Sequence, residues 1–371
     1  MKPLLILAGA AACALHAADN YLVYIGTYTN PQGKSQGIYV YRFDGESGKL
    51  TPAGLAAEIT NPSFLNLHPS GRYLYAVTEQ KGGAVSSFAV DRSTGKLAPL
   101  NTVPARGAGP CYVRTDKTGK VLFVANYGSG SVAAFPIKPD GSLGEAVGFV
   151  QHSGSSVDEK RQRGPHAHSI NPSPDNRYVA AADLGLDQVL IYKFDQNASL
   201  TPNDPPFAKV PPGGGPRHFA FHPNGRYAYA NNEMGNSVTA FTWDRRRGVL
   251  TPIATEPTLP KDFTAVSHTA EVQVHPGGKF LYVSNRGHDS ITSFAIDGGS
   301  GRLSVIEHTP TQGRTPRNFG IDPKGNFLIA ANQASNSLVV FRIDKNTGKL
   351  TPTGQTEQVG TPVCVKFLPL P

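Results

Sequence analysis

Cysteine, methionine and tryptophan are scarce in this chain of 371 residues, at three, two and one. Cys13 sits in the apolar N-terminal stretch, while Cys111 and Cys364 have no metal-ligand spacing and fall on repeat units two apart. Neither a structural zinc site nor a disulfide framework is therefore expected. Charged residues make up only 17% of the chain, and there is no low-complexity tract or collagen period, which excludes a disordered or fibrous protein. The net charge of +8 is scattered over turns such as Arg245-Arg246-Arg247. Without a basic stripe, no nucleic-acid partner is expected, and the charge speaks instead to solubility and to steering of small anions. There is no Gly-X-Ser-X-Gly elbow and no glycine-rich phosphate loop at a helix start.

The one apolar run of note is the first: Met1 to Ala17 carry a single positive charge (Lys2), an apolar stretch and small residues. That pattern predicts a signal peptide over 1–17, cut near Ala17 or Ala18. Asp19 and Asn20 end the run early, so no membrane span is expected. The mature domain, 18–371, is expected to be exported to the periplasm or secreted. Cys13 after Ala10-Ala11-Ala12 offers lipoprotein anchoring as the less favoured alternative.

What the chain does have is repetition. Tyr41-Arg-Phe-Asp44-Gly-Glu-Ser-Gly-Lys-Leu-Thr-Pro52 returns from Phe88 to Pro99 and from Phe341 to Pro352, with looser copies starting at Phe135, Tyr192, Phe241 and Phe294. A period of roughly 50 residues means a solenoid, an array or a propeller. Within one unit, 217–221, 227–233, 237–244 and about 249–254 read as short strands, rich in aromatic and β-branched residues and bounded by Gly, Pro, Asn and Asp. Four antiparallel strands per unit make a propeller blade. The chain starts on a second strand, Tyr21 to Tyr28, and finishes on an innermost one, Thr361 to Pro369. The expected fold is thus an all-β, seven-bladed β-propeller whose first blade is closed by the C-terminal strand, leaving no exposed edge.

Strand parity puts the turn entering each innermost strand and the turn between strands two and three at one end of the ring. The other end carries near-identical His-Pro-Asn-Gly turns, a structural wording in which His222 and His275 have no chemical part. The first end varies from blade to blade, as a binding face should. Aligning the innermost strands on their common turn places His166, Arg217, Arg317 and Cys111 in one ring, and His218 and Glu271 in the next. The third ring is apolar except for His168, and the fourth is mostly polar, with Lys366, Asn66, Arg114 and Gln273. By period-two alternation the second and fourth rings face the axis. His168 then reads either as a functional titratable group or as a core histidine tied to a backbone carbonyl.

The turn after strand two adds Asp183 and Asn285 at a common first position, where short polar side chains form turns. Tyr127, Glu233, Arg286 and Gln333 occupy the next position. A carboxylate (Glu233), two guanidiniums (Arg217, Arg286) and two imidazoles (His166, His168) thus converge on one mouth. Such a set can hold an anion through bidentate contacts and move a proton. Arg317, Asn285, Gln333, Asp183 and Tyr127 are the candidates for substrate contact. Lys160, Arg161 and Arg163, in a longer loop before His166, read as a solvated lid.

The phrases Tyr24-Ile-Gly-Thr-Tyr-Thr29, Pro165-His-Ala-His168, Asp183-Leu-Gly185, Gly215-Pro-Arg-His218, Asn232-Glu233, Ser284-Asn-Arg-Gly-His-Asp-Ser290 and Ala331-Asn-Gln333 span the mature chain. Together they resemble the lactonase family of seven-bladed propellers, whose members include 6-phosphogluconolactonases and carboxymuconate-lactonizing enzymes. The resemblance implies a catalytic group at His166 or His168, Arg217, Glu233 and Arg286, with neither metal nor cofactor. It implies hydrolysis of a sugar or sugar-acid lactone, probed against two rival readings: a muconate-type cycloisomerase, and a non-catalytic exported propeller that binds carbohydrate or protein. The partner is expected to be a small, anionic lactone acted on by a monomer. Export sits poorly with a phosphorylated substrate, which belongs in the cytoplasm. The single Trp243 excludes the tryptophan–aspartate repeat propellers.

Overall fold

The computed structural model describes residues 20–29 and 34–371; the expected signal peptide and Cys13 lie outside the described residues. No helix occurs among the described residues, and none is long and apolar enough to cross a membrane. Seven four-stranded antiparallel sheets follow one another along the chain. Blades 2 to 7 take up residues 65–104, 110–151, 167–209, 216–257, 268–310 and 316–358. Blade 1 is composite: Pro362–Pro369 pairs antiparallel with Asn20–Thr27, with Val365 opposite Ile25, and supplies the innermost strand. Tyr21, Val23 and Phe43 of blade 1 pack with Phe327, Ile329 and Val340 of blade 7, so the ring closes on side chains as well as on backbone.

The repeated Asp-X-X-X-Gly phrase acts twice. Within a blade, Gly48 N–H donates to the Asp44 carbonyl at 2.8 Å while the Asp44 carboxylate accepts from Glu46 and Ser47 N–H. Gly48 has φ +79°, a left-handed conformation that a Cβ disfavours. Between blades, the carbonyls of the equivalent glycines receive buried tyrosine hydroxyls from the preceding blade: Tyr24 on Gly95, Tyr75 on Gly141, Tyr229 on Gly301 and Tyr282 on Gly348, at 3.0–3.2 Å. On that face His222 and His275 bond the Gly278 and Gly325 carbonyls of the next blade at 2.7 and 2.9 Å, a wholly structural duty. Each tyrosine latch is one buried hydrogen bond, so Tyr282→Phe is expected to lower unfolding free energy by about 1 kcal/mol, measured by urea denaturation with activity unchanged.

One sequence-based register is corrected. In blades 3, 5 and 7 the innermost strand opens with a paired proline, Pro110 opposite Asn126, Pro216 opposite Asn232 and Pro316 opposite Asn332, and the next residue bulges out of register. In blade 4 the pair is Ala167 opposite Asp183, so the bulged residue is His168. His168, not His166, is therefore the counterpart of Cys111, Arg217 and Arg317. Ile170, opposite Ala181, fills the apolar third ring beside Val113 and Phe219. The cause is a doubled proline: Ser173-Pro174, not Asn171-Pro172, forms the common turn, with Ser173 N–H on the Tyr178 carbonyl just as His222 N–H meets that of Tyr227.

Candidate active site at the variable mouth

In blades 3, 4, 5 and 7 the bulge that opens the innermost strand turns its side chain toward the axis, and the turn after strand two lays a second side chain above it. Together these line a cavity of about 310 Å³ whose walls include His168, Glu233, Arg286, Arg317, Arg161 and Tyr127. Arg217 and His168 also line the narrow continuation beneath it. Parity thus brings His168, Arg217, Glu233 and Arg286 together from blades 4, 5 and 6.

Glu233 is the hub. Its Oε2 lies 3.0 Å from both Arg217 Nε and Arg286 Nη2, and its Oε1 lies 3.0 Å from Arg161 Nη2. Burial alone would raise this carboxyl, but the Arg286 and Arg217 guanidiniums outweigh it and hold Glu233 well below the ordinary carboxylate range. Glu233 is therefore ionised and a weak base. The two inner arginines are themselves fixed from behind: Arg286 Nη2 donates to the Thr269 carbonyl at 3.1 Å, and Arg217 Nη1 to the Ala270 carbonyl.

His168 is buried, and burial together with the Arg217 charge pushes its imidazole well below the usual histidine value. It is neutral near pH 7, with Nδ1 3.5 Å from Cys111 Sγ. Burial raises the Cys111 thiol, so it keeps its hydrogen, and the His168 carbonyl lies 3.5 Å from the same sulfur. A consistent proton assignment has Cys111 S–H donating to that carbonyl and accepting from Nδ1–H, which leaves the Nε2 lone pair for the cavity. Among the described residues Nε2 has no hydrogen-bond partner.

His166 stands behind this site. Its ring stacks on Tyr127 at 4.5 Å, its Nδ1 meets the Tyr127 carbonyl at 2.9 Å, and its N–H donates to Asp183 Oδ1 at 2.7 Å. Asp183 is not a substrate contact either: buried, it takes His152 Nδ1 at 2.6 Å on its other oxygen. Asn285 spends its amide on the Thr258 carbonyl, Ser290 and Thr292, and Gln333 does not line the cavity. Short polar residues at the head of the turn are there to shape it, and the side chain one position later is the one that reaches the mouth. The turn after Asp183 is tight enough that a Cβ on Gly185 would sit 1.9 Å from the Gly164 carbonyl; only glycine fits.

Three contributors were missed in the sequence. Tyr28 and Glu79 hold the same position in blades 1 and 2 as Glu233 in blade 5; Arg317 Nη2 bonds Tyr28 Oη at 3.2 Å, and that hydroxyl donates to Glu79 at 2.9 Å. Strand parity places Glu79 in the row of Tyr127 and Glu233 without singling it out as a site residue, and the same row extends to Tyr28. Arg161 has no periodic signal. Its loop is not a solvated lid: Gln162 is fully buried and donates to the Leu184 carbonyl and Asp187 at 2.8 Å. Lys160 and Arg163 are exposed, but Arg161 reaches inward to Glu233 and to Tyr127 Oη, the latter at 3.0 Å.

Residues 22–367 match the family model described as lactonase, 7-bladed beta-propeller. A 6-phosphogluconolactonase of Bacillus subtilis is 39% identical, over 94% of this chain and 98% of its own length. The crystal structure of a putative 6-phosphogluconolactonase from Bacteroides fragilis is 38% identical and superposes with a TM-score of 0.88, covering 94% of this chain and 98% of that one. The structure of a periplasmic gluconolactonase from Pseudomonas aeruginosa is 36% identical with a TM-score of 0.89, covering 95% of this chain and all of that one. With this match over nearly its whole length, on a closed ring of seven four-stranded blades, the chain belongs to the seven-bladed β-propeller lactonase family.

Proposed function

We propose that this protein hydrolyses a sugar or sugar-acid lactone, with His168 as general base and Arg217 and Arg286 as the cationic clamp. The observation that carries the reading is an imidazole beside an arginine pair locked by Glu233, with His168 and Arg286 lining the cavity and Arg217 its narrow continuation. Water attacks the lactone carbonyl carbon while His168 Nε2 takes its proton. The oxyanion that forms is met by the guanidiniums. The ring C–O bond then breaks, and the imidazolium returns the proton to the departing ring oxygen. The products are an aldonate and a free hydroxyl, with one proton released to solvent at neutral pH. General base help of this sort is worth roughly 10²–10⁴-fold, and preorganised cations facing the oxyanion add a comparable factor.

Four arginines (161, 217, 286 and 317) face the mouth against Glu79 and Glu233, a balance that favours an anionic lactone. In this reading the protein acts as a monomer outside the cytoplasm, where an unphosphorylated sugar-acid lactone is the better candidate. A pH-stat panel of gluconolactone, 6-phosphogluconolactone and sugar-acid lactones tests both points. Rates no higher than spontaneous hydrolysis on all of them would sink the enzyme reading and favour a binding propeller.

Arg161 tests the clamp from its rim. Its side chain is 38% exposed, so Arg161→Met is expected to cost under about 1 kcal/mol of stability. It is expected to raise KM for an anionic lactone about tenfold, with kcat little changed, as loss of uniform binding does. Steady-state kinetics on charged and neutral lactones separate the two effects.

A further inference from the structure

The axis holds a second basin, at the opposite end, of about 570 Å³. A layer of rings lies between the two: Phe64 stacks on Tyr112 at 4.2 Å, and His218 meets both edge-on at 5.6 and 5.1 Å. Arg114, Lys117 and Lys366 line the distal walls, Arg114 and Lys366 coming from the polar fourth ring of the sequence. Among the described residues none of these three cations forms an ion pair.

Their donors are largely uncommitted. Lys366 Nζ sits 4.5 Å over the Phe64 ring. Arg114 uses only Nη1, on Tyr112 Oη and Asn171 Oδ1 at 3.3 and 3.4 Å, which leaves its Nε and Nη2 edge without a protein partner among the described residues. One carboxyl, Glu271, lines the basin, but it is spoken for. His218 Nδ1 lies 3.2 Å away, Val272 N–H donates to it at 3.0 Å, and Asn318 donates to its other oxygen. Burial pushes this carboxyl up to about 7, against the pull of Lys366, so near neutrality it cancels only part of the positive charge.

Three like charges held in one concavity, with no counter-charge of their own, raise the local concentration of anions. A free guanidinium edge accepts a carboxylate or phosphate through paired hydrogen bonds, and the Phe64–Tyr112 pair gives the basin an apolar floor for a short carbon frame. We infer that the distal basin binds a small polyanion, a molecule with two or more carboxylate or phosphate groups, at a site separate from the lactone-binding mouth. The site stands independently of the proposed reaction, because none of its cations lines the mouth.

Isothermal titration of the whole protein with citrate and with inorganic pyrophosphate tests this, one probe for each anionic group. Acetate at matched ionic strength serves as the single-charge control. Saturable binding of at least one polyanion and none of acetate is expected. Lys366→Met and Arg114→Ser should weaken it about tenfold or more, whereas Arg286→Met at the mouth should leave it within about twofold. Lys117→Ser, at an exposed position, is the variant least able to disturb folding and should show the same loss. Absence of saturable binding by either polyanion overturns the inference. So does binding that survives all three distal changes, or that disappears with Arg286→Met alone.

Discussion

Glu233→Ala is expected to cost kcat/KM about 10²–10³-fold, the loss seen when a preorganised charge at a developing oxyanion is misplaced. It is also expected to destabilise the fold by about 3–5 kcal/mol, because cations would be left buried without their partner. Both effects have one origin. Arg217 and Arg286 lie within 3.0 Å of the same carboxylate oxygen and are 3% and 14% exposed, so neither can turn to water when the carboxylate is gone. Glu233→Gln separates charge from shape: it keeps the volume, removes the negative charge and should retain most of the stability cost. Urea denaturation followed in parallel with lactone hydrolysis reads both. Full activity in a folded Glu233→Gln protein would show that the arginines need no carboxylate to hold them, and the proposed clamp would fall.

The ion pairs on Glu233 favour His168 as the base of the proposed reaction. From sequence, Glu233 and His168 both belong to the set able to move a proton. In the folded chain three guanidiniums stabilise the ionised carboxylate, and a carboxylate held so low has little affinity for a proton. The imidazole is lowered as well, by burial and by the Arg217 charge, but its Nε2 has no hydrogen-bond partner among the described residues, whereas both Glu233 oxygens already hold guanidiniums. Glu233 therefore becomes the group that positions the arginines.

The architecture was legible because the repeat is written in turn residues, and turn residues have fixed physical meaning. Asp44, Gly48 and their copies mark where each third strand ends, and the unmatched Tyr21 to Tyr28 and Thr361 to Pro369 segments forced closure. Parity carried the mouth as well, since it depends only on counting strands. What failed was finer. The doubled proline at 172 and 174 moved the register of blade 4 by two residues and hid His168 in a row where it does not lie. Arg161 was unreadable for another reason. A long loop has no period, and Gln162 plugged beneath Leu184, with Arg161 N–H on the Asp158 carboxylate, fixes where the guanidinium points. Asp183 and Asn285 share residue type with binding groups, but in the fold the Asp183 carboxylate and the Asn285 amide nitrogen are consumed by backbone and neighbouring hydroxyls or imidazole.

The two histidines of Pro165-His-Ala-His168 give the sharpest test, because the proposed reaction gives them opposite duties. His168→Asn is expected to lower kcat by about 10²–10⁴-fold, the range for loss of a positioned base, with stability little changed at a site that opens on a cavity. His166→Asn should do the reverse. It removes the stack on Tyr127 and the bond to its carbonyl, costing about 1–2 kcal/mol of stability while kcat stays within severalfold. The pH profile adds a readout that packing alone does not move. Because the folded pKa of His168 is lowered, its imidazole stays unprotonated below the ordinary histidine value of 6.5. Wild-type kcat/KM should therefore hold level as pH falls through 6.5 and decline only at more acid pH, where the ring takes up a proton and the base is lost. His168→Asn should abolish that acid limb, and His166→Asn should keep it. An unchanged limb in His168→Asn would move the base to another group, and with it the whole proton path drawn here.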